Sequence, residues 1–130
     1  MAEPVWVRDD VVLAIHRRQL AEHGGTEGIR DRGLLESALA SPKNRFAYAA
    51  GETDLAALAA AYAFAIAQNH PFVDGNKRTA LVVCRTFLRL NGLDLTASQA
   101  EKYETFMRLA CGELSEDELA AWIRKRLSSE

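Results

Sequence analysis

The stretch LAALAAAYAFAIAQN (55–69), HPFVDGNKR (70–78), TALVVCRTFLRL (79–90) decides how this chain is read. Its first part is apolar on every side: Leu55, Leu58, Tyr62, Phe64 and Ile66 point in several directions, with alanines between them. A helix of that kind is a central one, and its small alanines let neighbouring helices pack close. Thr53 or Asp54 supplies an N-cap, and the helix runs to about Asn69. The third part is a second apolar helix running to Leu90 and ending at Asn91-Gly92. Two buried helices joined by a polar loop are therefore the centre of the fold.

Moving outward, the pattern stays helical. Val11, Val12, Ile15, Gln19 and Leu20 form a stripe that should stop at Gly24-Gly25, where glycine supplies a left-handed cap. A helix starting near Asp31 carries Leu34, Leu35, Ala38 and Leu39, and is expected to stop before Pro42. Pro42 to Thr53 reads as a loop or short hairpin. Thr96 or Ser98 caps a further helix anchored by Tyr103, Phe106, Met107 and Leu109. Ser115 with Glu118 fits a capping box for a last helix bearing Leu119, Trp122, Ile123 and Leu127. The best strand candidate is Pro4-Val5-Trp6-Val7. Residues 1–130 are thus expected to form one all-α domain, a compact helical bundle with at most a short β-hairpin or flap.

Composition narrows the function classes. Apolar residues make up 48% and charged residues 26%, with a formal net charge of −2. That balance is globular, and it argues against a direct nucleic-acid binder, which is usually strongly basic. The longest apolar run, Leu55 to Ala67, is too short to span a bilayer. No leader-like pattern opens the chain, so a cytoplasmic protein without a membrane partner is expected. Cys84 and Cys111 lack metal-type spacing and read as buried free thiols. His16 and His23 read as solvated. Trp6 and Trp122 read as packing residues, and Arg85 and Arg89 as a solvated stripe.

The loop is the anomaly, because a plain connection needs only turn chemistry. Gly75 lets a ligand approach the backbone closely. Asn76, Lys77 and Arg78 open a helix whose free N–H groups and positive dipole end attract anions. Lys77 and Arg78 add cationic charge. Asp74 is a hard oxygen ligand suited to a phosphate-bound Mg²⁺. His70 belongs to a residue type with a reference pKa of about 6.5, suited to taking a proton from a hydroxyl near neutral pH. Phe72 would anchor the loop to the core. Base, metal ligand and anion cradle are the parts that transfer from a nucleotide requires.

The loop resembles the signature of Fic-domain proteins, His-Pro-Phe-x-Asp/Glu-Gly-Asn-Gly/Lys-Arg. The resemblance extends to Gly24-Gly25, Gly28 to Asp31, Gly33 to Leu39, Pro42, Ala61-Tyr62 and Leu88 to Gly92, which look like the Doc (death-on-curing) branch of the Fic/Doc family. It implies that His70 is the catalytic base, that Asp74 binds Mg²⁺, that Gly75 and Asn76 build the anion turn and that Arg78 holds nucleotide phosphate, with Phe72 structural. Lys77 stands where Fic adenylyltransferases have glycine, and Leu81 where they often have a second arginine. In the Doc branch that lysine goes with transfer of the γ-phosphoryl group of ATP. The implied protein is a toxin of a toxin–antitoxin pair that phosphorylates a translation factor, elongation factor Tu being the prototype target. Its partner would be a Phd-like antitoxin with a disordered tail, since no Ser/Thr-x-x-x-Glu-Gly/Asn inhibitory helix is present. AMP transfer to a target hydroxyl and a non-catalytic, antitoxin-binding module remain the alternatives. Arg45 to Glu52 is a candidate flap for positioning the target.

Overall fold

A computed structural model describes residues 1–129. In chain order the elements are α1 (Asp9–His23), α2 (Arg32–Tyr48), α3 (Leu55–Asn69), α4 (Asn76–Leu90), β1 (Leu93–Leu95), α5 (Gln99–Ala110), α6 (Glu116–Arg124) and β2 (Leu127–Ser129). The fold is all-α, as the helical patterning predicts. α3 is its axis: eleven of its fifteen residues are buried, and it packs against α2, α4, α5 and α6. Its alanines make this close contact on several sides possible. Tyr62, Phe72, Phe87 and Phe106 fill the spaces between helices.

Most helix ends follow the residues that predict them. Gly24 closes α1 with φ 79°, and Asp31 and Asp54 cap α2 and α3 through their carboxylates. Ser98, rather than Thr96, caps α5 in a reciprocal capping box with Glu101. Ser115 and Glu118 form the second capping box, at α6. Each such cap stabilises its helix by about 1 kcal/mol.

Four expectations are corrected. α2 does not stop before Pro42 but carries it inside the helix and continues to Tyr48. An internal proline costs about 3 kcal/mol in an isolated helix. Here Pro42 is buried, and the turn beyond it is held by Phe46 against Trp6, ring centroids 5.8 Å apart. Tertiary packing has overridden the local breaker.

Pro4 to Val7 forms no strand. Its backbone groups find side-chain partners instead: Val5 exchanges both its N–H and C=O with the Asn91 amide, and Val7 N–H donates to the Tyr62 hydroxyl. The two strands lie elsewhere, β1 antiparallel to β2, with Leu93 opposite Ser129 and Leu95 opposite Leu127. They are joined through α5 and α6, so the pair is a crossover and not a hairpin. Cys84 is buried as expected, and burial pushes its thiol up to about 12. Cys111 is exposed, because it follows the last turn of α5 as the C-cap. Tyr103 is also largely exposed on α5 and does not anchor it in the core.

Among the described residues, no helix is long and apolar enough to cross a membrane.

Candidate active site

The loop between α3 and α4 is fixed from three sides. His70 ends α3 in the left-handed conformation, φ 47° and ψ 56°. That basin costs a non-glycine residue about 1–2 kcal/mol. Arg30 holds it there: its Nε donates to the His70 carbonyl at 2.6 Å and its Nη2 to the Asn69 carbonyl at 2.7 Å. These acceptors lie at the negative end of α3, where a cation is favoured.

The segment before α2 zips onto the loop. Arg30 and Asp31 N–H both donate to the Pro71 carbonyl, and Val73 N–H donates to the Gly28 carbonyl at 3.0 Å. Ile29 and Phe72 form an isolated antiparallel bridge.

Inside the loop, Asn76 acts as a clamp. Its Oδ1 accepts from Phe72 N–H at 3.0 Å and its Nδ2 donates to the Phe72 carbonyl at 2.9 Å. Asn76 is buried, so both polar ends of its amide are satisfied where an orphan would cost about 1–3 kcal/mol. Phe72 is fully buried and stacks on His16, centroids 3.7 Å apart and 9° from parallel.

His16 is the main correction here. It is buried, not solvated, and its Nε2 lies 2.8 Å from the Asp74 carbonyl. A carbonyl can only accept, so Nε2 carries the proton. The imidazole supports the loop from beneath through one ring face and one N–H.

Asp74 and the helix start form the anion side. The Asp74 carboxylate accepts from Gly75 N–H at 2.9 Å and from Thr26 N–H at 3.2 Å. Gly25 must be glycine for this: its φ is +126°, and a Cβ there would lie 2.8 Å from Asp74 Oδ2. Gly75, at φ 77°, starts α4, and neither a capping side chain nor an acidic residue occupies the first turn. The free N–H groups of that turn are thus available to an anion.

One cavity of about 330 Å³ gathers these groups: His70, Asp74, Gly75, Asn76, Lys77 and Arg78 all line it. All the loop residues singled out in the sequence except Phe72 meet in it, and Phe72 lies in the core beneath. His70 is exposed, and no described residue hydrogen-bonds its imidazole. Lys77 leans toward α5, its Nζ 2.8 Å from Met107 Sδ and 4.9 Å from the Tyr103 ring centre.

The fit to a magnesium ion is limited but definite. Among the described residues, no group of three or more carboxylate, histidine or cysteine side chains forms an all-protein metal cage. Mg²⁺ is commonly held by one or two carboxylates plus substrate phosphates. Asp74 beside an uncapped helix start fits that mode.

The candidate flap does not stand as one loop. Arg45 to Tyr48 belong to α2, and Arg45 is tied to Glu116 and Asp117 near the start of α6. None of its residues lines the cavity at His70. Arg85 likewise is not a free stripe residue, since it pairs with Asp94 at 2.9 Å.

Three further residues escaped the sequence reading. His16 carried a readable signal: with Val12, Gln19 and Leu20 it shares the buried 3.6-residue face of α1. Gly25 and Arg30 fall within the family resemblance, but their contacts with Asp74 and with the Asn69 and His70 carbonyls carried no signal, because those partners lie about forty or more positions downstream.

The Fic/DOC family model matches residues 6–88. A protein named protein kinase doc, from Escherichia phage P1, is 33% identical over 123 residues, covering 95% of this chain and 96% of that protein. Toxin Doc of Mycolicibacterium smegmatis is 43% identical over 74 residues, 57% of each chain.

Proposed function

Because this chain belongs to the Fic/DOC family, within its Doc branch, we propose that it is a Doc-type toxin that transfers the γ-phosphoryl group of ATP to a protein hydroxyl. The observation that carries the chemistry is the shared cavity, which His70 lines together with Asp74, Arg78 and the uncapped start of α4. The names of the two relatives support the choice of phosphoryl transfer and of a toxin.

In this reading ATP lies with its phosphates against the first-turn N–H groups of α4 and Arg78. His70 takes the proton of the target hydroxyl as the oxygen attacks the γ-phosphorus. The bond from that phosphorus to the bridging oxygen breaks, and ADP leaves with the electron pair. Asp74 would hold Mg²⁺, which when bound neutralises phosphate charge. The Asn76 clamp and the His16 stack keep these groups in register, which matters because a misplacement of about 1 Å costs about a hundredfold in rate. The target is a hydroxyl of a translation factor, elongation factor Tu first among candidates. A Phd-like antitoxin would restrain the activity.

AMP transfer is the second reading, and one observation favours it. The Lys77 ammonium lies against α5 and does not fill the anion turn, so the turn keeps the space that glycine leaves in adenylyltransferases.

The test is to incubate the protein and Mg²⁺ with a bacterial lysate and ATP labelled at either the α or the γ position. Label from γ alone supports phosphoryl transfer. Label carried from α sinks it, and no label from either position, unchanged in His70→Ala, favours a binding module.

A further inference from the structure

The active-site cavity does not end at Arg78. Gln19, Lys77 and Arg78 also line a second cavity of about 200 Å³, which continues between α4 and α5. That one shares Leu81, Val82, Gln99 and Lys102 with a third, of about 250 Å³, which reaches Arg85 and Arg89. Together they make a groove along α4 from Lys77 to Arg89, a span of twelve helical steps or about 18 Å.

The charge of this groove is one-sided. The two outer cavities are lined by Lys77, Arg78, Arg85, Arg89 and Lys102 and by no aspartate or glutamate, Arg85 being paired with Asp94. Lys102 stands out among them. It is only 8% exposed, it lines both outer cavities, and no described residue hydrogen-bonds or ion-pairs with its side chain. The covered part is its stem, and the ammonium keeps access to the groove. The neighbouring acid on α5, Glu101, is committed to the Ser98 capping box and to Arg126.

We propose that Lys102 is the centre of a second anion subsite, which holds a phosphate group of the bound ligand remote from His70. The ligand class is a phosphate-bearing molecule that reaches from the α4 start into the α4–α5 groove. Its identification with a nucleoside triphosphate rests on the reading of phosphate transfer above, but the subsite itself rests on the groove. Leu81, Val82 and Phe106 beside Lys102 provide an apolar wall for the non-phosphate part.

The experiment is an NMR titration of the ¹⁵N-labelled full chain with inorganic pyrophosphate and, separately, with ATP. Saturable shifts are expected in the amides of Gln99 to Phe106 as well as in those of Gly75 to Thr79. Lys102→Met should weaken ATP binding by about tenfold or more, the loss of one charge-assisted hydrogen bond. Lys102→Arg should restore most of it. Lys102→Met should also melt no lower than the unaltered protein, which separates lost binding from lost folding. Pyrophosphate shifts confined to Gly75–Thr79, or equal affinity in Lys102→Met, would overturn the subsite and leave the nucleotide reading intact. Shifts at α5 with pyrophosphate but no binding of ATP would support the subsite and remove the nucleotide reading.

Discussion

Arg30→Met tests whether the catalytic geometry is held from outside the loop. The methionine keeps the length of the stem and removes the guanidinium, and with it two hydrogen bonds of 2.6 and 2.7 Å to the last carbonyls of α3. Hydrogen bonds to charged groups contribute about 1.5–3 kcal/mol when buried. Arg30 is exposed, so a loss nearer 1–2 kcal/mol is expected. The left-handed conformation of His70 costs about the same, 1–2 kcal/mol. With the clamp gone, that conformation competes with ordinary ones, and the imidazole leaves its place for much of the time. Transfer from γ-labelled ATP should fall about ten- to hundredfold, since small misplacements cost that much. Urea denaturation should show a loss of about 1–2 kcal/mol, leaving the protein folded at assay temperature. ATP affinity should change little, because Arg30 does not line the cavity. A wild-type transfer rate in folded Arg30→Met would refute the clamp, as would a rate loss matched by an equal fraction of unfolded protein.

Other consequences can be measured separately. Phe72→Ala removes a fully buried ring and its stack on His16, and should destabilise the protein by about 3–5 kcal/mol in chemical denaturation. A loss under about 1 kcal/mol would mean that the loop is not anchored there. Gly25→Ala places a Cβ 2.8 Å from Asp74 Oδ2 and 2.9 Å from Leu20 Cδ2 at a φ of +126°. It should cost about 1–3 kcal/mol and weaken the Mg²⁺ dependence of ATP binding, by calorimetry with and without the ion. Unchanged Mg²⁺ dependence would show that Asp74 is not held by this contact. The Asp94 carboxyl is held at about 2, below its ordinary 3.8, chiefly by its hydrogen bond with the Arg85 guanidinium. Because the folded value is the lower one, its contribution is full above the ordinary value and is lost as pH falls through about 2. Allowing for solvent screening of the half-exposed arginine, Asp94→Asn should cost about 1 kcal/mol near neutral pH and almost nothing near pH 2. An equal loss at both pH values would disprove the linkage.

The sequence made the centre of the fold legible because periodicity and caps are local. The alanine-rich α3, the Ser98 and Ser115 capping boxes and the glycine after α1 each carry their signal within a few residues. It failed where a distant partner overrules a local rule. Pro42 stays helical because Phe46 and Trp6 hold the turn beyond it, and Pro4 to Val7 is extended without a strand because Asn91 and Tyr62 supply its hydrogen bonds. The site divides in the same way. Its candidate residues lie in nine consecutive positions, so they could be read together. Their supports, His16, Gly25 and Arg30, come from α1 and from the turns after it. His16 taken alone reads as solvated, although its spacing from Val12 and Leu20 places it on the buried face.

The most direct test of phosphoryl transfer by this site is mass spectrometry of the modified target after reaction with unlabelled ATP. The expected result is an added phosphoryl group on a serine or threonine hydroxyl of a translation factor, with the yield falling by about 10²- to 10⁴-fold in His70→Ala, the span of general-base catalysis. An added AMP group, or modification that persists unchanged in His70→Ala, would contradict it.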